Sequence, residues 1–208
     1  MNYLYPNMPN RLYPSSPLLK SLNNSEQWVA EIKKNGWRCI VKKDKALTLY
    51  SRHKTIFTAP LTEIRSALSK LPDGTVLDGE LLSGKRIKDF PESLYVFDVL
   101  IWKYKPVWQL PLADRRVLLE LNFTNIAQVC GKIELANQYI KNKMKLYYNS
   151  IENENEGIVI KKLNSVYCAS ESRCLKNPYW LKVKRMEKHV KTLKQIYPPY
   201  FPTTVMSP

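Results

Sequence analysis

A chain of 208 residues is long enough for one ordinary domain with a substantial core and too short for a second full-sized one. Its 33 Lys and Arg against 18 Asp and Glu leave a formal charge of +15, a field that attracts polyanions and makes nucleic acid the first candidate partner, although a Lys-rich surface also serves solubility. The four cysteines lack paired spacing and the two histidines lack a ligand-spaced neighbour, against a disulfide scaffold or a zinc site, and the absence of an apolar leader or membrane-length apolar run predicts an intracellular protein, in cytoplasm or nucleoid, with no membrane partner.

In chain order, residues 1–25 carry Pro6, Pro9, Pro14 and Pro17 among Asn and Ser, the composition of an irregular arm over the surface. Two strand-like runs follow, Trp28 to Lys33 and Trp37 to Lys42, with Lys34-Asn35-Gly36 between them; AsnGly in that setting predicts a hairpin. A third strand, Leu47 to Tyr50, leads into Ser51-Arg52-His53-Lys54. The spacing of Ile64, Leu68 and Leu71 predicts a helix over Leu61 to Leu71, ended by Pro72-Asp73-Gly74. Thr75 to Leu81 and Ser93 to Ile101 read as core strands with single embedded acids. A helix is expected from Pro111 to Leu121 and another from Ile133 to Tyr147, then strands over Gly157 to Lys162 and Tyr179 to Lys184. The main domain is placed at 26–188 and a basic, Pro-rich tail at 189–208.

Order and spacing single out a set of motifs that are individually weak. Glu31-Ile-Lys33-Lys-Asn-Gly36-Trp-Arg38 resembles the E-x-K-x-D-G-x-R signature of the covalent nucleotidyltransferases: DNA ligases, RNA ligases and mRNA capping enzymes. Ser51-Arg52, Asp78-Gly79-Glu80-Leu81, Tyr95-Val96-Phe97-Asp98, Glu156-Gly157-Ile158-Val159-Ile160-Lys161 and Trp180-Leu181-Lys182-Val183-Lys184 resemble the later motifs, in family order. Pro111-Leu-Ala-Asp-Arg-Arg116 with Leu118-Leu119, and Ser165, Tyr167 and Arg173 ahead of the last motif, are similar to ATP-dependent DNA ligases, although Asn177-Pro178-Tyr179 lengthens the usual spacing there.

The resemblance implies an α+β nucleotidyltransferase (ATP-grasp-like) domain with antiparallel β-sheets flanked by helices, using ATP and Mg²⁺ to seal nicked double-stranded DNA. It implies Lys33 as the nucleophile that takes AMP. A free lysine titrates near ~10.4, so attack requires burial or cationic neighbours, such as Arg38, Lys182 and Lys184, to favour the neutral amine. Glu31, Arg38, Arg52, Glu80, Phe97, Lys182 and Lys184 are the implied nucleotide-binding set: Glu80 on the ribose, Phe97 stacked on the purine, Arg52 on ribose or on the phosphate of the strand to be joined. Glu156 is the implied metal ligand. Asp98 is left between a second metal ligand and a structural carboxylate, and Lys161 between a phosphate contact and a strand cap.

Each of these residues also has an ordinary alternative: a solvated lysine, surface acids, a core phenylalanine, a surface arginine. Two departures from the family pattern stand out. Asn35 replaces the usual Asp, and only some two dozen residues follow Lys184, too few for the OB-fold that usually carries a sixth motif; a partner protein is the expected source of that function. The rival functions are an RNA ligase or GTP-dependent capping guanylyltransferase on the same fold, and a non-catalytic DNA-binding ligase remnant.

Overall fold

The computed structural model describes residues 2–82 and 92–186, with the backbone alone at 127–129. The reading of 189–208 as a basic tail therefore lies outside the described residues.

Two twisted sheets face each other. The smaller has four strands in the order β1 (Met8–Leu12), β10 (Lys176–Lys184), β9 (Gly157–Lys162), β2 (Trp28–Lys33). The larger runs β4 (Ala46–Ser51), β3 (Trp37–Asp44), β5 (Thr75–Leu82), β6 (Ser93–Trp102), β7 (Lys105–Pro106), with β8 (Ile133–Leu135) also on β6. Pairing is antiparallel except at β1–β10 and β6–β8, which are parallel. Among the described residues four helices accompany the sheets: α1 (Pro17–Leu22), α2 (Thr62–Leu68), α3 (Leu112–Cys130) and α4 (Lys143–Glu152). The fold is α+β, as expected.

Side-chain alternation along strands sorts the residues into layers. On the small sheet Ala30, Ile158, Ile160, Leu181 and Val183 turn outward onto Leu19 and Leu22 of α1 and Tyr147 of α4. On the large sheet Cys39, Val41, Leu77, Leu81, Leu94 and Val96 pack on Ile64 and Leu68 of α2 and Leu119 and Phe123 of α3. A third cluster, with Tyr3, Leu4, Ile40, Val76, Leu100, Tyr167 and Trp180, brings residues of both sheets together. The remaining inward positions of the strands, charged side chains with the aromatics Tyr95, Phe97 and Trp180 among them, line a cleft.

Four expectations about local structure are corrected. Strands β2 and β3 form no hairpin: β2 pairs with β9, and β3 with β4 and β5, so Lys34–Gly36 carries the chain from one sheet to the other. Gly36 is needed there for a close approach, since a Cβ would meet the Leu81 carbonyl oxygen at 2.4 Å. AsnGly marks a tight turn, but which strands pair is decided by the apolar faces they bury.

The N-terminal arm is not irregular. Its Pro17 sits in the first turn of α1 behind the cap Ser16, whose Oγ accepts from Leu18 N at 3.3 Å, and Pro9 lies on β1, an edge strand that tolerates the missing N–H. The helix expected over Ile133 to Tyr147 is instead β8, a linker, and α4 beginning at Lys143. Lys143 is fully buried, its ammonium donating to the carbonyls of Asn23 (3.3 Å), Ser25 (3.0 Å) and Ile140. That long-range tie is invisible to periodicity. Finally, α3 runs on to Cys130, beyond the expected end at Leu121.

Candidate active site between the two sheets

The cleft encloses about 1070 Å³ and is lined by Glu31, Lys33, Arg38, Arg52, Glu80, Phe97, Glu156, Lys161, Trp180, Lys182 and Lys184, among others. It therefore collects every residue of the implied nucleophile, nucleotide and metal set. Strand parity delivers most of them: Glu31 and Lys33 on β2, Lys161 on β9, Trp180, Lys182 and Lys184 on β10 from one side, Arg38, Glu80 and Phe97 from the other, while Arg52 follows β4 and Glu156 precedes β9.

Lys33 ends β2. Its Nζ lies 2.6 Å from Glu156 Oε2, and Lys184 Nζ lies 2.8 Å from the same oxygen. Glu156 is held there by its own backbone, its N–H donating to Lys33 O at 3.0 Å and its carbonyl accepting from Arg185 N at 2.9 Å. Gly157 makes the geometry attainable: its φ is +132°, and a Cβ would meet the Val183 carbonyl oxygen at 2.0 Å. Burial opposes charge on Glu156, but the hydrogen bonds from Lys184 and Lys33 outweigh it and hold the carboxyl below its ordinary value.

Across the cleft Glu80 Oε1 accepts from Gly36 N at 3.0 Å. Burial pushes its carboxyl above the usual range, against the pull of Lys33 and Arg38. Arg38 is forked onto Asp78 through Nε and Nη2 and lies 4.7 Å from the centre of the Phe97 ring. Asp78 in turn accepts from Tyr167 Oη at 2.6 Å. Burial first, and the Asp78 charge second, push that hydroxyl far above its ordinary range, so it stays a donor.

Lys161 proves central. Its Nζ is 2.6 Å from Glu31 Oε2, 4.8 Å from the Phe97 ring centre and 4.1 Å from that of Trp180, while Gln138 donates to Glu31 Oε1 at 2.9 Å. Glu31 and Lys161 thus form a buried pair under the aromatic floor of the cleft.

Asp98 resolves as structural. Both its oxygens take Arg115, at 2.8 and 2.9 Å, in full burial, and Arg115 also donates to Leu110 O and Ser165 O. Arg52 stays exposed at the rim, beside His53. Sequence reasoning misses the network through Asp78, Tyr167, Arg115 and Gln138; the acids inside apolar strands are its visible trace, since a buried acid demands a partner.

At the floor of the cleft Lys182 feels burial and then the charges of Lys184, Lys33, Arg11 and Arg52, which bring its ammonium below the ordinary value. Cations crowded in this way favour an anionic ligand.

Residues 83–184 match the family model described as the ATP dependent DNA ligase domain. The SPbeta prophage-derived DNA ligase-like protein LigB of Bacillus subtilis is 30% identical over 196 residues, 83% of this chain and 67% of that protein. The chain belongs to the ATP-dependent DNA ligase family. The DNA ligase of Thermococcus onnurineus is 28% identical over 74% of the chain, and DNA ligase 3 of Dictyostelium discoideum 28% over 89%, but the chain spans only 31% and 17% of their lengths. Among solved structures, the ligase domain of M. tuberculosis LigD superimposes with a TM-score of 0.67 at 23% identity, over 87% of this chain and 60% of that one. The ATP complex of the bacteriophage T7 ATP-dependent DNA ligase gives 0.59 at 17%, over 86% and 68%. These likenesses identify the fold as that of the ligase nucleotidyltransferase domain. No helix among the described residues is long and apolar enough to cross a membrane.

Proposed function

We propose that this ligase-family domain seals nicks in duplex DNA through a covalent lysyl-AMP on Lys33. The observation that carries the reading is the seat of Lys33, at the floor of a cleft large enough for a nucleotide, with its amine directed at Glu156 and flanked by Lys182 and Lys184. The Lys33 nitrogen forms a bond to the α-phosphorus of ATP while the bond to pyrophosphate breaks and the amine gives up its proton. AMP then passes to a 5′-phosphate, and an adjacent 3′-hydroxyl displaces it.

The walls suit that substrate. Phe97, braced by Arg38 and Lys161, offers a flat face to a purine, and Glu80 is placed to accept from a ribose hydroxyl. Lys182, Lys184 and Arg38 present fixed positive charge to the phosphates, which stabilises charge that develops on them. Glu31 acts from beneath by fixing Lys161.

Mg²⁺ fits the donor set. Glu156 and Glu80 supply hard oxygens to the cleft, and among the described residues no group of three acidic, His or Cys ligands occurs; Mg²⁺ commonly uses one or two carboxylates together with substrate phosphates. When bound, the ion would neutralise phosphate charge.

The test is joining of a nicked duplex with a labelled 5′-phosphate in the presence of ATP and Mg²⁺, run beside the same nick in RNA and beside GTP. Joined DNA with ATP supports the reading. Joining of RNA alone, or labelling by GTP alone, favours the other enzymes of this fold, and tight DNA binding with no nucleotide uptake favours the non-catalytic remnant.

A further inference from the structure

A second groove, of about 360 Å³, adjoins the cleft and is lined by Pro9, Asn10, Arg11, Lys176, Lys182, Lys184 and Arg185. Five of the seven are cations and none is an acid. Arg11, Lys176 and Arg185 are exposed, and among the described residues neither they nor Lys182 take part in an ion pair. Uncompensated cations repel one another, and such a group is stable in place when a polyanion fills it.

We propose that this groove, along the β1–β10 edge of the small sheet, seats successive phosphates of one DNA strand and leads that strand to Lys33. The proposal rests on the ligase reading of the cleft. Strand geometry sets the scale. Lys176 lies opposite Met8 and Lys182 opposite Arg11, so the track from Lys176 to Arg185 covers roughly 20 Å at about 3.3 Å per residue pair. A DNA strand presents a phosphate every ~3.4 Å of axis, enough to meet every cation in the row, whereas the three linked phosphates of ATP cannot reach from Lys33 to Lys176.

Two local features shape the track. Pairing of β1 with β10 jumps from Pro9↔Asn177 to Asn10↔Leu181, so Pro178, Tyr179 and Trp180 are taken up in a bulge that shortens the separation of Lys176 from Lys182. Asn177 braces it, donating to Val166 O at 3.1 Å and accepting from Tyr179 N at 3.0 Å. Arg11 shares the inward side of β1 because its neighbour Leu12 is committed to the outer core, and its guanidinium rests 4.8 Å from the Tyr13 ring centre. A groove open at one end to Lys182 and Lys184 and continued by exposed cations gives the phosphates a direction.

The experiment uses the whole chain with Arg11→Ala, Lys176→Ala and Arg185→Ala combined, compared with Lys20→Gln, Lys70→Gln and Lys105→Gln combined, three exposed lysines outside the groove. Affinity for nicked duplex is measured by fluorescence anisotropy from 50 to 200 mM salt, and covalent labelling by ATP is measured in parallel. Neutralising the groove is expected to flatten the slope of log affinity against log salt by about two to three, close to one for each phosphate that is no longer neutralised, with the labelling rate unchanged. The control triple leaves the slope near wild type, and Arg11→Lys with Arg185→Lys restores it. An unchanged slope in the groove variant overturns the proposal, as does an equal loss in the control, which reduces the effect to net charge. Slower labelling with unchanged DNA binding also overturns it and assigns the groove to the phosphates of ATP. Absence of labelling in the wild-type chain counts against the ligase reading instead, while the slope still decides the groove.

Discussion

Glu156 Oε2 sits between two ammonium groups, 2.6 Å from Lys33 and 2.8 Å from Lys184. The arrangement aims the Lys33 amine and keeps an oxygen donor at the floor of the cleft. Glu156→Gln should slow nucleotide transfer about 10- to 100-fold, the range seen when groups that orient a reacting or ligating side chain are removed, while the fold is retained. Labelling rates at saturating ATP decide it.

Glu156 and Glu80 titrate in opposite directions. The carboxyl of Glu156 is lowered in the folded chain, so its stabilising contribution is present above its unfolded value of 4.5 and is lost as pH falls through the folded value. Glu80 is raised, so its contribution is complete below 4.5 and declines as pH rises through its folded value. Thermal midpoints of wild type, Glu156→Gln and Glu80→Gln, recorded in chelator from pH 3 to 7, should show wild type losing its advantage over Glu156→Gln toward acid and its advantage over Glu80→Gln toward neutrality.

Gly157→Ala combines a backbone angle that side chains avoid with a collision against the Val183 carbonyl. Strain and overpacking together predict a loss of roughly 2–4 kcal/mol. Transfer should fall further than stability, because the shift moves Glu156 away from Lys33. Urea unfolding and labelling on the same variant separate the two effects.

Removing Arg115 leaves the buried Asp98 without its two charged hydrogen bonds. Arg115→Ala should cost about 3–5 kcal/mol in urea unfolding. Replacing Asp98 and Arg115 together with Leu should cost clearly less than the single change, since no lone charge remains.

Phe97→Ala removes the flat face above the Arg38 and Lys161 cations. Base stacking on an aromatic contributes about 1–3 kcal/mol, so the ATP concentration for half-maximal labelling should rise roughly 5- to 150-fold, and Phe97→Tyr should recover most of it.

Much of the cleft is legible in the sequence through the resemblance, whose motifs single out Lys33, Glu80 and Lys182; strand parity along β2, β5, β9 and β10 then brings them, with Lys161, onto inward faces. What stays hidden depends on partners distant in sequence. Nothing local reveals that Lys143 closes three carbonyls near Asn23, that Arg115 neutralises Asp98, or that Tyr167 holds Asp78. The hairpin expectation at Asn35-Gly36 fails for the same reason, since a turn sequence reports the bend and not the sheet to which each arm is committed. The weight of Lys161 is equally hard to read from sequence, because its partners, Glu31, Phe97 and Trp180, come from three other strands.

The most direct measurement is denaturing electrophoresis of the chain and of Lys33→Ala after incubation with α-labelled ATP and Mg²⁺. The account predicts covalent label on the wild type, mapped to the peptide containing Lys33 and absent from the variant. Label that persists in Lys33→Ala, or none on the wild type with nicked DNA present, would contradict it.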